Sequence, residues 1–417
     1  MTKGGCGCDS QAPEPGLMSV DEARAHALAQ VAPLAEFETL AVSEAAGRVC
    51  AETIRAEHAM PRFDNSAMDG FALRSADLAG RCCLPVAGEV AAGDAACVLP
   101  EGTALRIFTG APLPEGADAV AMVETCIDKG HKVHFNTKPQ PGDNIRRAGG
   151  DQAAGAALVR EGSNLAPRHV GLLAANGITR LRVSRRPRVA VFSTGAELAE
   201  GAPGPGQVTD ANRPLLLALL RAAGAEPSDL GILPDDLDAT AAALGALEGR
   251  FDLVLTSGAV SMGGRDHVRA ALAAAGGDVT GWRVALKPGK PVLFGRLGRA
   301  AFTGLPGNPF AVHVGFHLFV AAQVARLAGA APAPFAPVPA RAAFDWARKP
   351  GRAEVFPVRL AGHDAAGAAR LERLGASVSA TLYPLAEAHG LAMVPPECDR
   401  VSPGDVLRWQ PFCGALN

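Results

Sequence analysis

The stretch Thr256-Ser-Gly-Ala-Val-Ser-Met-Gly-Gly-Arg-Asp266 lies between an apolar run, Phe251–Leu255, and a helix-like segment from His267 to Ala275. A buried strand that opens through small residues into a helix is where α/β folds build anion sites. Glycines let backbone N–H groups approach the ligand, and the helix N-terminus favours negative charge. Ser257, Gly258 and Ser261 are the candidate anion contacts, and Asp266 either holds a metal or caps the helix. Four further segments follow predicted strands or open helices in the same region: Ser193-Thr-Gly-Ala-Glu197, Thr209-Asp-Ala-Asn-Arg213, Pro234-Asp-Asp236 and Thr303-Gly-Leu-Pro-Gly-Asn-Pro309. Lys287-Pro-Gly-Lys-Pro291 adds two cations around a rigid turn. Acidic groups for metal, lysines for anions and glycine turns for close approach suit a phosphate-bearing, nucleotide-like ligand.

A second cluster lies earlier. Pro61-Arg-Phe-Asp-Asn-Ser-Ala-Met-Asp-Gly-Phe71 packs Asp64, Asn65, Ser66 and Asp69 into one polar loop. Arg106-Ile-Phe-Thr-Gly-Ala-Pro112 contributes Thr109, and Arg146-Arg-Ala-Gly-Gly-Asp151 contributes two cations and a carboxylate. Asx-turns and loop caps are the plain alternative. Neither Gly-x-x-x-x-Gly-Lys-Ser/Thr nor a Gly-x-Gly-x-x-Gly after the first strand occurs, which excludes a P-loop NTPase and argues against a dinucleotide dehydrogenase.

The elements that must position these residues divide the 417-residue chain into several domains. Residues 1–16 read as a disordered leader. Residues 17–60 and 152–186 form one discontinuous domain, whose Ser19-capped helix is expected to pack with the Pro167–Asn176 helix. Residues 61–151 read as a β-rich insert of short strands. Residues 187–328 alternate strand and helix, which predicts a mostly parallel sheet in a three-layer α/β domain. An Ala/Pro linker follows, and residues 338–417 read as a small β-barrel-like domain.

A net charge of −2 argues against nucleic-acid binding. No uninterrupted apolar run reaches the roughly 18 residues of a membrane span, and the N-terminus lacks a signal peptide's apolar core, so a soluble cytoplasmic protein is expected. Nine cysteines without a Cys-x-x-Cys pair weaken disulfide and zinc readings.

The chain resembles the molybdopterin molybdenumtransferase family and the corresponding domain of gephyrin. Phe63-Asp-Asn-Ser-Ala-Met-Asp-Gly70, Thr109-Gly-Ala-Pro112, Ser193-Thr-Gly195, Lys287-Pro-Gly-Lys-Pro291 and Gly304-Leu-Pro-Gly-Asn-Pro309 carry the likeness. The resemblance implies an elongated, four-domain homodimer. Its site is shared between the α/β domain of one subunit and the β-rich domain of the other. The implied reaction takes adenylylated molybdopterin and molybdate to molybdenum cofactor and AMP, with magnesium. Asp69, Thr109 and Asp151 would then stand on the insert's side of the cleft. Glu197, Asp236, Asp266, Lys287, Pro306 and Pro309 would stand on the ligand side, with Arg283, Lys290 and Gly307 among the substrate contacts. Catalytic roles would fall to Asp69, Thr109, Asp151, Glu197, Asp236 and Lys287, and metal ligation to Asp266 and Asp236. The molybdopterin adenylyltransferase and client molybdoenzymes are partners such a family allows.

Three departures stand out. Ala259 replaces a glycine, Arg283 a familiar lysine, and Tyr383-Pro384 a pair of serines. They leave open a paralogue of altered substrate, such as tungstate or another pterin nucleotide, and a non-enzymatic scaffold. A molybdopterin adenylyltransferase or a pyrophosphate hydrolase is a further alternative on the α/β domain alone, though neither would need the insert.

Overall fold

The computed structural model describes residues 16–233, 235–258, 267–375 and 380–412. At its centre lies a six-stranded sheet in the order Glu226–Leu233, Arg188–Thr194, Leu253–Ser257, Ala300–Leu305, Leu293–Leu297, Asp278–Trp282. The first four strands are parallel. Leu293–Leu297 runs against them because Gly298-Arg299 is a two-residue hairpin, with Gly298 at φ +56°. Asp278–Trp282, which the sequence pattern did not single out, adds an antiparallel edge.

Leu253–Ser257 and Ala300–Leu305 are buried throughout, as strands covered on both faces must be. Alternation assigns Val189, Val191, Leu253 and Leu255 to one core, with Leu216 and Leu220 of the helix Asn212–Ala222 and Phe310 and Phe319 of the helical segment Pro309–Leu327. Ala190, Phe192, Val254 and Phe302 turn to the other core, with Leu244 of Leu237–Gly245 and Leu272 of Val268–Ala274. Each fully buried Phe contributes about 1.5–3 kcal/mol.

Pro309–Leu327 is long and apolar enough by composition to cross a membrane, but here it is a buried core helix. Its middle, Phe316–Val320, widens into a π-helical turn. The helix Val20–Ala29 packs on it: Gln323 Nε2 donates to Ala27 O at 3.1 Å inside the core. That corrects the expected packing against Pro167–Ala175, which instead shares a core with Val42, Ala45 and Val159. An apolar stripe shows that a helix is buried, but not which partner buries it.

Two-stranded pairings join the flanks of the insert, Phe37–Ala41 with Arg180–Ser184 and Ile54–Arg55 with Ala157–Val159. The insert between them is a curled sheet ordered Ala119–Met122, Gly70–Leu73, Ala104–Ile107, Cys83–Val90, Lys132–Phe135, Cys126–Asp128. It has its own cores, one around Phe71, Leu73 and Phe135 and one around Val90, Ile107 and Val120. At the C-terminal end five strands close into a barrel: Ala353–His363, Ala369–Arg373, Val338–Ala342, Val406–Pro411, Gly390–Val394 and back to Ala353–His363. Leu286–Lys287 of the α/β domain pairs in parallel with the start of that first barrel strand.

Candidate functional site

Three adjacent parallel strands deliver the anion-site residues to one edge. Ser193 is in register with Ser257, and Ser257 with Leu305, so Thr194, Gly258 and Pro306 stand side by side at the ends of these strands. Gly258 N–H donates to Leu305 O at 3.1 Å. Its φ is +95°, and a Cβ there would stand 2.4 Å from Thr194 O, so only glycine fits this turn. Asn212 Nδ2 binds the turn from the neighbouring helix, donating to Ser257 Oγ at 2.7 Å and to Gly307 O at 2.6 Å. Asp210 in turn accepts from the N–H groups of Asn212 and Arg213.

Four buried atoms at this edge, Ser193 Oγ, Thr194 Oγ1, Thr256 Oγ1 and Asn212 Oδ1, have no hydrogen-bond partner among the described residues. Leaving one such group unsatisfied costs about 1–3 kcal/mol. A polar ligand at this edge, beside the obligatory glycine, would satisfy such a set.

Glu197 is exposed and folds back over Gly195, where a Cβ would come 2.6 Å from its Oε1. Ala196 N–H donates to Asp235 Oδ2 at 3.1 Å, joining the loops after the first two strands. The adjacent Asp236 is exposed and caps the helix Leu237–Gly245, its Oδ1 accepting from Ala239 N–H at 2.8 Å. Pro306 is buried, Gly307 is exposed, and Pro309 fills the first turn of the long helix. Lys287 Nζ lies 3.4 Å from Glu354 Oε1. Lys290 is half-buried, with its carbonyl accepting from Val284 N–H at 2.8 Å. Arg283 adopts φ +70°, a conformation more natural for glycine or asparagine, and its carbonyl accepts from Met18 N–H at 3.2 Å.

The insert's three polar loops are stitched into one surface. Asp69 Oδ1 accepts from Thr109 N–H at 2.7 Å and from Thr109 Oγ1 at 2.8 Å. Those bonds, the backbone one first, hold the Asp69 carboxyl below its usual range. Asp64 accepts from Ala148 N–H at 2.8 Å and from Arg147 Nη1 at 2.6 Å, which depresses its carboxyl too. Ser66 N–H donates to Ala111 O, and Asp151 N–H to Met60 O, both at 3.0 Å. Asp151 itself is exposed.

The expected residues therefore gather as two groups, one on the insert and one at the sheet edge. Ser261 and Asp266, like Ala259, lie outside the described residues. Among the described residues no three His, Cys, Asp or Glu side chains converge as a metal site. Tyr383 of the departing pair is 78 % exposed, at the start of the helical turn Tyr383–Ala386. The sequence reading did not single out Thr194, Asn212, Asp235 or Glu354. Thr194, Asn212 and Asp235 sat within quoted segments, where a helix-opening asparagine reads first as a cap.

Residues 18–177 match the MoeA N-terminal region (domains I and II), 190–326 a probable molybdopterin binding domain, and 339–412 the MoeA C-terminal region (domain IV). The molybdopterin molybdenumtransferase of Haemophilus influenzae is 42 % identical over 317 residues, covering 75 % of this chain and 78 % of that protein. Molybdopterin molybdenumtransferase 2 of Mycobacterium tuberculosis is 36 % identical over 387 residues, covering 89 % and 94 %. The crystal structure of the molybdopterin biosynthesis MoeA protein from Pyrococcus horikoshii OT3 superposes with a TM-score of 0.80 at 28 % identity, covering 94 % of this chain and 99 % of that one. With motifs, fold and all three family regions in agreement, this chain belongs to the molybdopterin molybdenumtransferase (MoeA) family.

Proposed function

We propose that the chain inserts molybdate into adenylylated molybdopterin and releases AMP. The observation that carries this reading is the sheet edge, where Gly258 permits close backbone approach and four buried polar atoms have no partner among the described residues. The pterin nucleotide is a polar, phosphate-bearing ligand of the kind such an edge takes at the carboxyl ends of parallel strands. Lys287 and Lys290 supply positive charge for the oxyanions. When the phosphoanhydride-like bond breaks, negative charge grows on the departing phosphate, and fixed cations and backbone N–H groups stabilise it without reorganising.

Magnesium suits the donors present. Asp235 and Asp236 each have one carboxylate oxygen engaged in a hydrogen bond, and magnesium binds through one or two carboxylates together with substrate phosphates and water. Asp236 and Asp266 would hold the ion, which would neutralise phosphate charge, and loss of turnover on chelation checks this. The Asp69–Thr109 pair and Asp151 would complete the site from a second subunit of a homodimer, which a solution mass of twice the chain would support and a monomer mass would rule out.

The test of the reading is calorimetric titration with adenylylated molybdopterin. The wild-type protein binds it, and a folded Gly258→Ala protein, whose methyl must displace the Thr194 carbonyl, loses at least about tenfold in affinity. Equal affinity would place the ligand elsewhere.

A further inference from the structure

We infer that Glu354, a residue of the C-terminal barrel, is the positioning residue for Lys287, an inference that rests on the pterin-nucleotide reading of the sheet edge. The backbone arrangement comes first. Leu286–Lys287 pairs in parallel with Ala353–Glu354, and Ala353 N–H donates to Ala285 O at 2.9 Å. Lys287 and Glu354 are register partners, so the loop that carries the lysine is an added strand on the barrel.

The charges come next. The Glu354 side chain is 2 % exposed, and a carboxylate that deep needs paired cations. Arg348, also 2 % exposed, places Nε 3.3 Å from Glu354 Oε2. Its Nη1 donates to the carbonyls of Pro395 and Cys398, and its Nη2 to that of Arg352. Arg348 is thereby fixed by the barrel and neutralises the carboxylate from inside.

Among the described residues Oε1 receives no directed hydrogen bond, and Lys287 Nζ stands 3.4 Å from it. Lys287 is 37 % exposed, so its ammonium reaches from the buried carboxylate toward solvent. Two cations and one carboxylate leave one excess positive charge, carried by the outer member. Arg373, stacked 3.9 Å over Trp346, also lies within the field of Glu354 and adds to the positive surroundings. Glu354 thus holds the lysine in place without cancelling its charge toward a ligand. A purely structural pair would stabilise the barrel and leave the ligand indifferent.

The experiment uses the full-length protein with Glu354→Gln, Glu354→Asp, Lys287→Ala and the Glu354→Gln/Lys287→Ala double substitution. Reductive methylation of the ligand-free protein, followed by peptide mass spectrometry, reads the Lys287 amine against Lys349 in the same sample. Glu354→Gln is expected to speed Lys287 methylation at least about threefold, because the amine loses its tether. Glu354→Asp retracts the charge by one methylene; it gives an intermediate rate and carries the test if the glutamine variant does not fold. The affinity for adenylylated molybdopterin should fall roughly tenfold with Glu354→Gln, but not fall further when Lys287 is already alanine.

Unchanged methylation, or an equal affinity loss in both backgrounds, overturns the inference. If methylation responds while the wild-type protein fails to bind the adenylylated pterin, the pterin reading fails and the Glu354–Lys287 coupling stands.

Discussion

Thr109 gives Asp69 two donors at one oxygen, its backbone N–H and its hydroxyl, on an exposed surface of the insert. Such a pair contributes little to stability where solvent screens it, yet it fixes where the carboxylate points. Thr109→Ala should therefore lower the rate of AMP release roughly ten- to a hundredfold through misplacement of Asp69. Thermal stability should stay within the about 0.5 kcal/mol expected of surface substitutions. Thr109→Ser, which keeps both donors, should retain activity. A full rate in the alanine protein would remove the pair from the mechanism. Asp69, Thr109 and Gly258 were legible in the sequence because polar loops and glycine turns announce themselves locally. Glu354 was not, because its importance comes from a strand pairing between residues 67 positions apart in the chain.

At the scale of elements, the helix Leu237–Gly245 raises a choice between structure and chemistry. Asp236 caps it through Ala239 N–H, as Asp, Ser and Thr all do. Asp236→Ser keeps the cap and deletes the carboxylate, whereas Asp236→Ala also removes the cap and about 1 kcal/mol of stability. Our account expects the serine protein to melt like wild type and to lose magnesium-dependent turnover. Normal turnover by that protein would assign Asp236 to capping alone. The alternating α/β pattern was readable because continuous apolar runs and capped helices are local signals, and Glu226–Leu233 is one of the strands of that pattern. The edge strand Asp278–Trp282 was not readable, since Asp-Val-Thr-Gly-Trp has no clear period and is recruited by the hairpin beside it. The partner of the helix Val20–Ala29 was hidden for the same reason: docking is tertiary.

At the scale of the whole molecule, the long central helix meets the end of the barrel through a histidine pair. His313 and His317 have ring centroids 4.5 Å apart, and Phe412 packs against both, at 5.5 and 5.9 Å. Burial, and then the neighbouring His317, pushes His313 down to about 3, while burial pushes His317 down to about 4. The unfolded chain protonates these rings near the ordinary value of about 6.5. Stability is therefore full above about pH 6.5 and declines as pH falls toward about 4 and then 3, by at most about 1.4 kcal/mol per pH unit for each histidine. Denaturation midpoints measured from pH 7.5 to pH 5 should fall in the wild-type protein and flatten in a His313→Asn/His317→Gln protein. Equal slopes would show that the pair does not titrate on unfolding.

Barrel, α/β domain and insert all converge, in this account, on one reaction of a pterin nucleotide. Its most direct test is AMP release from adenylylated molybdopterin by the purified full-length protein, with magnesium present and with molybdate added or withheld. The account predicts AMP release that molybdate accelerates, with molybdenum retained on the pterin in step with the AMP formed. AMP release indifferent to molybdate, or none under either condition, would contradict it.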